Sequence, residues 1–158
     1  MSRCNTDTKT YYVKKVKTFG ASKTSWTKKK LKSNTAYKFR VVVKDASGKV
    51  ICKSLIGHAL TGNVRGDFTN AKSLKVKKSS FTLKKGKTAR IKATQTKAMK
   101  GKKLLDSGHS KLLRYKSNNT SVAKVSSSGK ITAVGTGSCK VYVQTVNGIW
   151  KTVKVTVK

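Results

Sequence analysis

The stretch whose reading decides the fold runs from Tyr115 to Val143, "YKSNNTSVAKVSSSGKITAVGTGSCKVYV". The chain around it is dense in lysine, yet this run is built from Ser, Thr, Asn, Gly, Val and small apolar residues. "VAKV" and "ITAV" are separated by "SSSGK", and Cys139, Val141 and Val143 alternate with Lys140 and Tyr142. Apolar residues at period 2, punctuated by Ser, Asn and Gly, indicate half-buried strands joined by tight turns. Cys139 therefore reads as a buried free thiol, a small hydrophobe inside a strand face.

The same alternation extends outward. In "KTVKVTVK", Val153, Val155 and Val157 share one face, with Lys154, Thr156 and Lys158 opposite. In "YKFRVVVKD" the face is Tyr37, Phe39, Val41 and Val43, and in "SLKVKK" it is Leu74 and Val76. Strands are expected over 10–16, 24–31, 36–45, 50–60, 72–77, 80–84, 88–95, 112–117, 122–126, 130–134, 138–146 and 149–157. "DASGK" and "SSSGK" mark turns, and Asn147-Gly148 in "VNGI" suits a type I′ hairpin. Helical periodicity is almost absent. In "KAMKGKKLLDSGHSKLLR" (97–114) the leucine pairs allow a short helix that Ser107-Gly108 interrupts. Short, evenly spaced strands with such turns predict an all-β sandwich. The polar stretch "TGNVRGDFTNAKS" (61–73) separates two strand clusters, with the division at residue 68 or 69.

Against this β pattern stands the charge. The 158 residues carry 38 bases and 4 acids, a formal charge of +34. Such a balance self-repels and attracts polyanions. Only Arg3, Arg40, Arg65, Arg90 and Arg114 are arginines. Lysine acts as a hydrated point charge where arginine forks onto guanine and phosphate, so the composition favours diffuse attraction over sequence readout. Most lysines fall between inward valines, where they also blunt strand edges against pairing with other chains.

Sites for chemistry are sparse. Cys4, Cys52 and Cys139 fit no C-x-x-C spacing, and at most one disulfide could form. Asp106, Ser107, His109 and Ser110 lie in one loop, whereas a Ser/His/Asp constellation draws its members from separate parts of a fold. Four scattered aspartates cannot supply a calcium shell. Cys52 and His58 lack a second pair for zinc, and His58 reads as structural. No metal, cofactor or catalytic residue is expected. Arg65-Gly66-Asp67 spells the familiar integrin-binding tripeptide, a weak signal at three residues. Tyr11, Tyr12, Trp26, Tyr115, Tyr142 and Trp150 are candidate stacking aromatics, and Trp150 is out of phase with the inward valines. No run reaches the roughly 20 apolar residues of a membrane helix. "MSRCNTDTKT" has no apolar core of a signal peptide, so either the protein is intracellular or the chain begins inside a longer one.

Residues 69–158 resemble the bacterial immunoglobulin-like domain of group 2. The resemblance rests on "FTLKKGKTARIKA", on the opening stretch, and on "WKTVKVTV". Tyr115, Ala123, Val125, Gly129, Ile131, Ala133, Gly135 and Gly137 take the places of that pattern, with Tyr115 where tryptophan is usual and a longer loop at 97–113. Residues 1–68 resemble the later part of a fibronectin type III domain through Leu31, Thr35, Tyr37, Phe39 and Val41, with the leading strands missing. Tyr37 would be the corner tyrosine that bonds back to the backbone.

The expected fold is thus an all-β immunoglobulin-like sandwich preceded by a partial fibronectin type III-like sheet. Half a sandwich leaves an apolar sheet face uncovered, a surface for a neighbouring domain or another copy of the chain. The resemblance implies a non-enzymatic, extracellular module of a Gram-positive-type surface protein, an adhesion or spacer unit without membrane insertion. Its expected partner is an anionic cell-wall polymer or other surface polyanion, met diffusely by Lys75, Lys77, Lys78, Lys84, Lys85, Lys87, Lys151, Lys154 and Lys158. The rival reading is a lysine-driven polyanion- or nucleic-acid-binding protein, which needs one contiguous basic stripe. An exposed aromatic cluster at one rim would instead favour carbohydrate.

Overall fold

The computed structural model describes residues 2–3, 16–105 and 111–158. The first half holds β1 (Ser2–Arg3), β2 (Ala36–Phe39), β3 (Val42–Lys44), β4 (Val50–Lys53) and β5 (Gly57–Leu60). They form a sheet β1-β2-β5 and a separate hairpin β3-β4. A 3-10 turn (Thr61–Asn63) leads to the short strands β6 (Val64–Arg65) and β7 (Phe68–Thr69). The second half follows as β8 (Ala71–Val76), β9 (Ser80–Leu83), β10 (Thr88–Arg90), β11 (Ala93–Lys97) and β12 (Lys103–Leu104). It closes with β13 (Leu113–Ser117), β14 (Ala123–Val125), β15 (Lys130–Ala133), β16 (Gly137–Thr145) and β17 (Trp150–Val157).

The main core follows directly from the alternation. A four-stranded sheet β13-β16-β17-β9 turns Cys139, Val141, Val143, Val153, Val155 and Val157 inward. They meet Leu74 of β8, Ile91, and Ala123, Ile131 and Ala133 of the sheet β10-β15-β14. Valine suits this role because a β-branched side chain packs well on a pleated surface. The expected run 88–95 is two strands. The chain changes sheets at Ile91-Lys92, leaving β10 on β15 and moving β11 onto β8. Ile91 N–H then bonds Gly129 O, and its side chain is buried at the crossing.

Gly129 has φ +79°, and a Cβ there would stand 2.9–3.1 Å from the Tyr115 ring. Tyr115 is half-buried, and burial pushes its phenol above the usual range, with Arg90 acting in the opposite sense. A raised pKa means that the folded state keeps the proton longer than the unfolded chain. The associated stability is fully present below the unfolded value of about 10 and falls as pH rises beyond it. Relative to Tyr115→Phe, wild type should therefore hold its stability to about pH 9 and lose stability above it, as followed by urea denaturation.

Three expectations are corrected. Residues 24–31 form no strand: Lys30 has φ +58° and breaks the extended run, while Trp26 leans on Phe19 at 5.5 Å. Most of 10–16 lies outside the described residues. The 145–149 connection is not a two-residue type I′ turn. Gln144 pairs with Trp150, so the loop is longer by one residue, and only Gly148 (φ +101°) is left-handed. The reason is register. A two-residue turn would set inward Val141 against outward Lys154, whereas the observed one sets it against Val153. Lastly, no helix forms in the described part of 97–114. β12 pairs in parallel with β7, and Leu105 is buried with Ala36 and Leu60 in a second, smaller core.

The polar stretch 61–70 ties the two halves together. Buried Asn70 accepts from Leu60 N–H (2.9 Å) and donates to Leu60 O (2.8 Å) and Asn63 Oδ1 (3.0 Å). Asn147 donates to Ala71 O at 2.9 Å, and His58 N–H to Val146 O at 2.7 Å. The Tyr37 hydroxyl accepts from Lys32 N–H at 3.1 Å, the backward bond expected of that residue.

Candidate functional site

The nine lysines singled out from the sequence are all exposed, and they fall into three groups. Lys84, Lys85, Lys87 and Lys158 gather at one end of the sandwich. There Lys85 N–H bonds Lys158 O (3.2 Å), and a turn at Gly86 joins Lys87 N–H to Lys84 O (3.0 Å). Lys75 and Lys77 flank the edge of β8, beside β11, and Lys78 reaches over the Phe81 ring at 5.2 Å. Lys151 and Lys154 stand on β17 at positions of opposite parity, so only Lys154 shares the outward face of the four-stranded sheet.

That outward face holds residues the sequence reading did not bring together. Lys140 on β16 lies directly opposite Lys154, and both are exposed. Like charges opposite one another destabilise a ladder. One step along, Lys116 pairs with Tyr142, which pairs with Thr152. The next row is Arg114, Gln144 and Trp150. Tyr142 and Trp150 meet edge to face, centroids 5.9 Å apart at 72°, and Trp150 remains 59% exposed. Arg114 donates to Ile56 O, and Lys116 lies 3.4 Å from Lys53 O, so the segment after β3-β4 borders this face. The outward phase of Lys140 was readable in the alternation. Its partner was not, because the pairing depends on the length of the 145–149 loop.

The other candidates are dispersed. Tyr115 belongs to the core, Trp26 is exposed on Phe19, and Tyr11 and Tyr12 lie outside the described residues. So do Cys4, Asp106, Ser107, His109 and Ser110. Cys139 is a buried free thiol, Cys52 is an exposed one, and His58 is buried. No cluster of His, Cys, Asp or Glu suited to a metal occurs among the described residues, and no helix there is long and apolar enough to cross a membrane. Gly66-Asp67 forms the turn between β6 and β7, which leaves Arg65, Gly66 and Asp67 exposed at a hairpin tip. The expected uncovered apolar surface lies on and around β3-β4. Val41 is 62% and Ile51 64% exposed, with Val43 and Ile56 also in solvent.

Residues 70–157 match the bacterial Ig-like domain (group 2). The chain belongs to this family. Among solved structures, it is similar to an intimin mutant from EHEC O157:H7 at 18% identity and TM-score 0.41, over 54% of this chain and 46% of that one. It is also similar to the S-layer protein SbsC at 16% identity and TM-score 0.46, over 78% of this chain and 20% of that one. For domains 4 and 5 of SbsC the values are 19% identity and TM-score 0.44, over 75% of this chain and 65% of that one. The chain thus spans under half of the intimin chain and a fifth of the longer SbsC chain. No curated protein matches it. For the group 2 Ig-like half, the pattern places Tyr115 and Gly129 in the contact described above, and places Ile131 and Ala133 in the core.

Proposed function

We propose that this chain is a non-enzymatic cell-surface module that acts as an adhesion or spacer unit with electrostatic affinity for anionic wall polymers. The observation that carries the reading is a group 2 Ig-like sandwich whose valine-filled core is wrapped in outward lysines. The division near residue 68 or 69 separates this sandwich from a partial fibronectin type III-like sheet. In a tandem array, the exposed Val41, Val43 and Ile51 are the surface on which the neighbouring module packs. The nucleic-acid reading is weaker because the nine lysines are split among three regions and Arg114 is turned to Ile56 O.

The test compares binding to purified wall fragments, with and without teichoic acid, beside duplex DNA of matched charge over a salt series. Counterion release gives any polyanion a steep slope, roughly 0.9 per phosphate contacted on DNA, so the comparison decides. Wall binding should persist at salt where DNA binding has vanished, and should disappear once teichoic acid is stripped. Equal, salt-erased binding to both would reduce the module to a spacer.

A further inference from the structure

We infer that the outward face of the four-stranded sheet is a binding platform for a phosphodiester-linked glycan, with a sugar ring on Trp150 and phosphates over Lys140 and Lys154. This rests on the wall-polymer reading above and names its site. Three observations converge there. Lys140 and Lys154 face each other across neighbouring strands, a like-charge pair that an anion seated between them would relieve. The indole of Trp150 is 59% exposed although its hairpin neighbour Tyr142 supports one edge. Gln144 lies opposite Trp150, and Thr152 lies opposite Tyr142 in the row next to the lysine pair, neutral groups that donate and accept hydrogen bonds.

The chemistry selects among polyanions. The C–H face of a sugar ring is apolar and packs flat on an indole, while its hydroxyls need neutral partners such as Gln144 and Thr152. A phosphodiester link carries a single negative charge, which a lysine meets as a point charge without a fork. Rows on one face are spaced by about 7 Å along a strand, so Trp150 with Gln144, then Thr152 with Tyr142, then the lysine pair follow one another on the scale of a sugar and its link. A single-stranded nucleic acid would be better served by several stacked aromatics and free arginines. Here there is one aromatic pair, and Arg114 is directed to Ile56 O.

The experiment titrates the full chain with purified wall teichoic acid, with a polyuronate and with single-stranded DNA of equal charge. The proteins compared are wild type, Trp150→Ala, the double variant Lys140→Gln/Lys154→Gln, and the off-face triple Lys84→Gln/Lys85→Gln/Lys87→Gln. Trp150→Ala and the double variant should each weaken teichoic acid binding about tenfold or more, and the triple, though it removes more charge, less than about threefold. In a Trp26→Phe background, emission from Trp150 should shift as teichoic acid is added. All variants lie on exposed positions, and unchanged circular dichroism checks that they fold.

If wild type fails to bind teichoic acid, the wall-polymer reading falls and this site with it. If wild type binds but the triple weakens it as much as the double, the reading survives and the platform does not. Tighter binding to the polyuronate or to DNA, sensitive to Trp150→Ala, would overturn the phosphodiester glycan in favour of that polymer.

Discussion

Gly129→Val should lower the stability of the Ig-like sandwich by about 4 kcal/mol, from left-handed strain of about 1–3 kcal/mol and overpacking of about 1–3 kcal/mol. Gly129 holds φ +79°, and the position of its missing Cβ is already within 3.1 Å of two ring carbons and the hydroxyl oxygen of Tyr115. The ring cannot swing freely aside, because Tyr115 packs against the valine core and its strand β13 is paired along β16. Domains of this size have roughly 5–15 kcal/mol in all, so the variant should be mostly lost from the soluble fraction at 37 °C. Gly129→Ala is the milder form. Gly86→Ala separates the causes, since Gly86 has φ +82° with nothing within 4 Å of its Cβ position. It should cost about 1–2 kcal/mol from backbone strain alone. Urea midpoints measure all three, and equal midpoints for Gly129→Ala and Gly86→Ala would show that the Tyr115 contact contributes nothing.

Asn70→Ala should loosen the first half from the second while leaving the valine core folded. The side chain satisfies both the N–H and the C=O of Leu60, and Asn70 and Leu60 are about 6% and 5% exposed. Truncation strands both backbone groups away from water, at about 1–3 kcal/mol each. The nearest relief is local opening, which exposes the small core of Ala36, Leu60 and Leu105 with Phe68. Amide exchange should accelerate by about 10²-fold or more over residues 57–60, following about 3 kcal/mol of lost protection. The amides of 139–157 should be unchanged. Uniform acceleration would mean that the two halves unfold as one unit.

The strand faces of the second half were legible because alternation is a local property. Cys139, Val141 and Val143 against Lys140 and Tyr142 already state which side is dry, and the valines of 153–157 do the same. The first half was less legible. "YKFRVVVKD" alternates without a break, yet the chain leaves one pairing after Phe39 and begins another at Val42, so Val41 and Val43 never reach a core. Alternation records which side of a strand is apolar, and only a partner sheet makes that side buried. "TGNVRGDFTN" read as a linker because it is polar, but Asn70 is a buried structural bond-maker whose partners, Leu60 and Asn63, emerge only when the chain folds back. At the 145–149 turn the local dipeptide pointed to one loop and the apolar register to another. Register prevailed because a one-residue slip would have set every inward valine of β16 against an outward residue of β17.

From the sequence alone came the all-β class, the Ig-like half, the inward valines and a surface clothed in lysine, each fixed by residues near one another in the chain. Only the tertiary structure decided which lysines meet. Lys140 and Lys154 are fourteen positions apart in sequence and opposite in space, brought there by a loop length that serves the core beneath them. Charge facing solvent has no packing partner to record in the pattern, so its grouping follows from the burial of its neighbours.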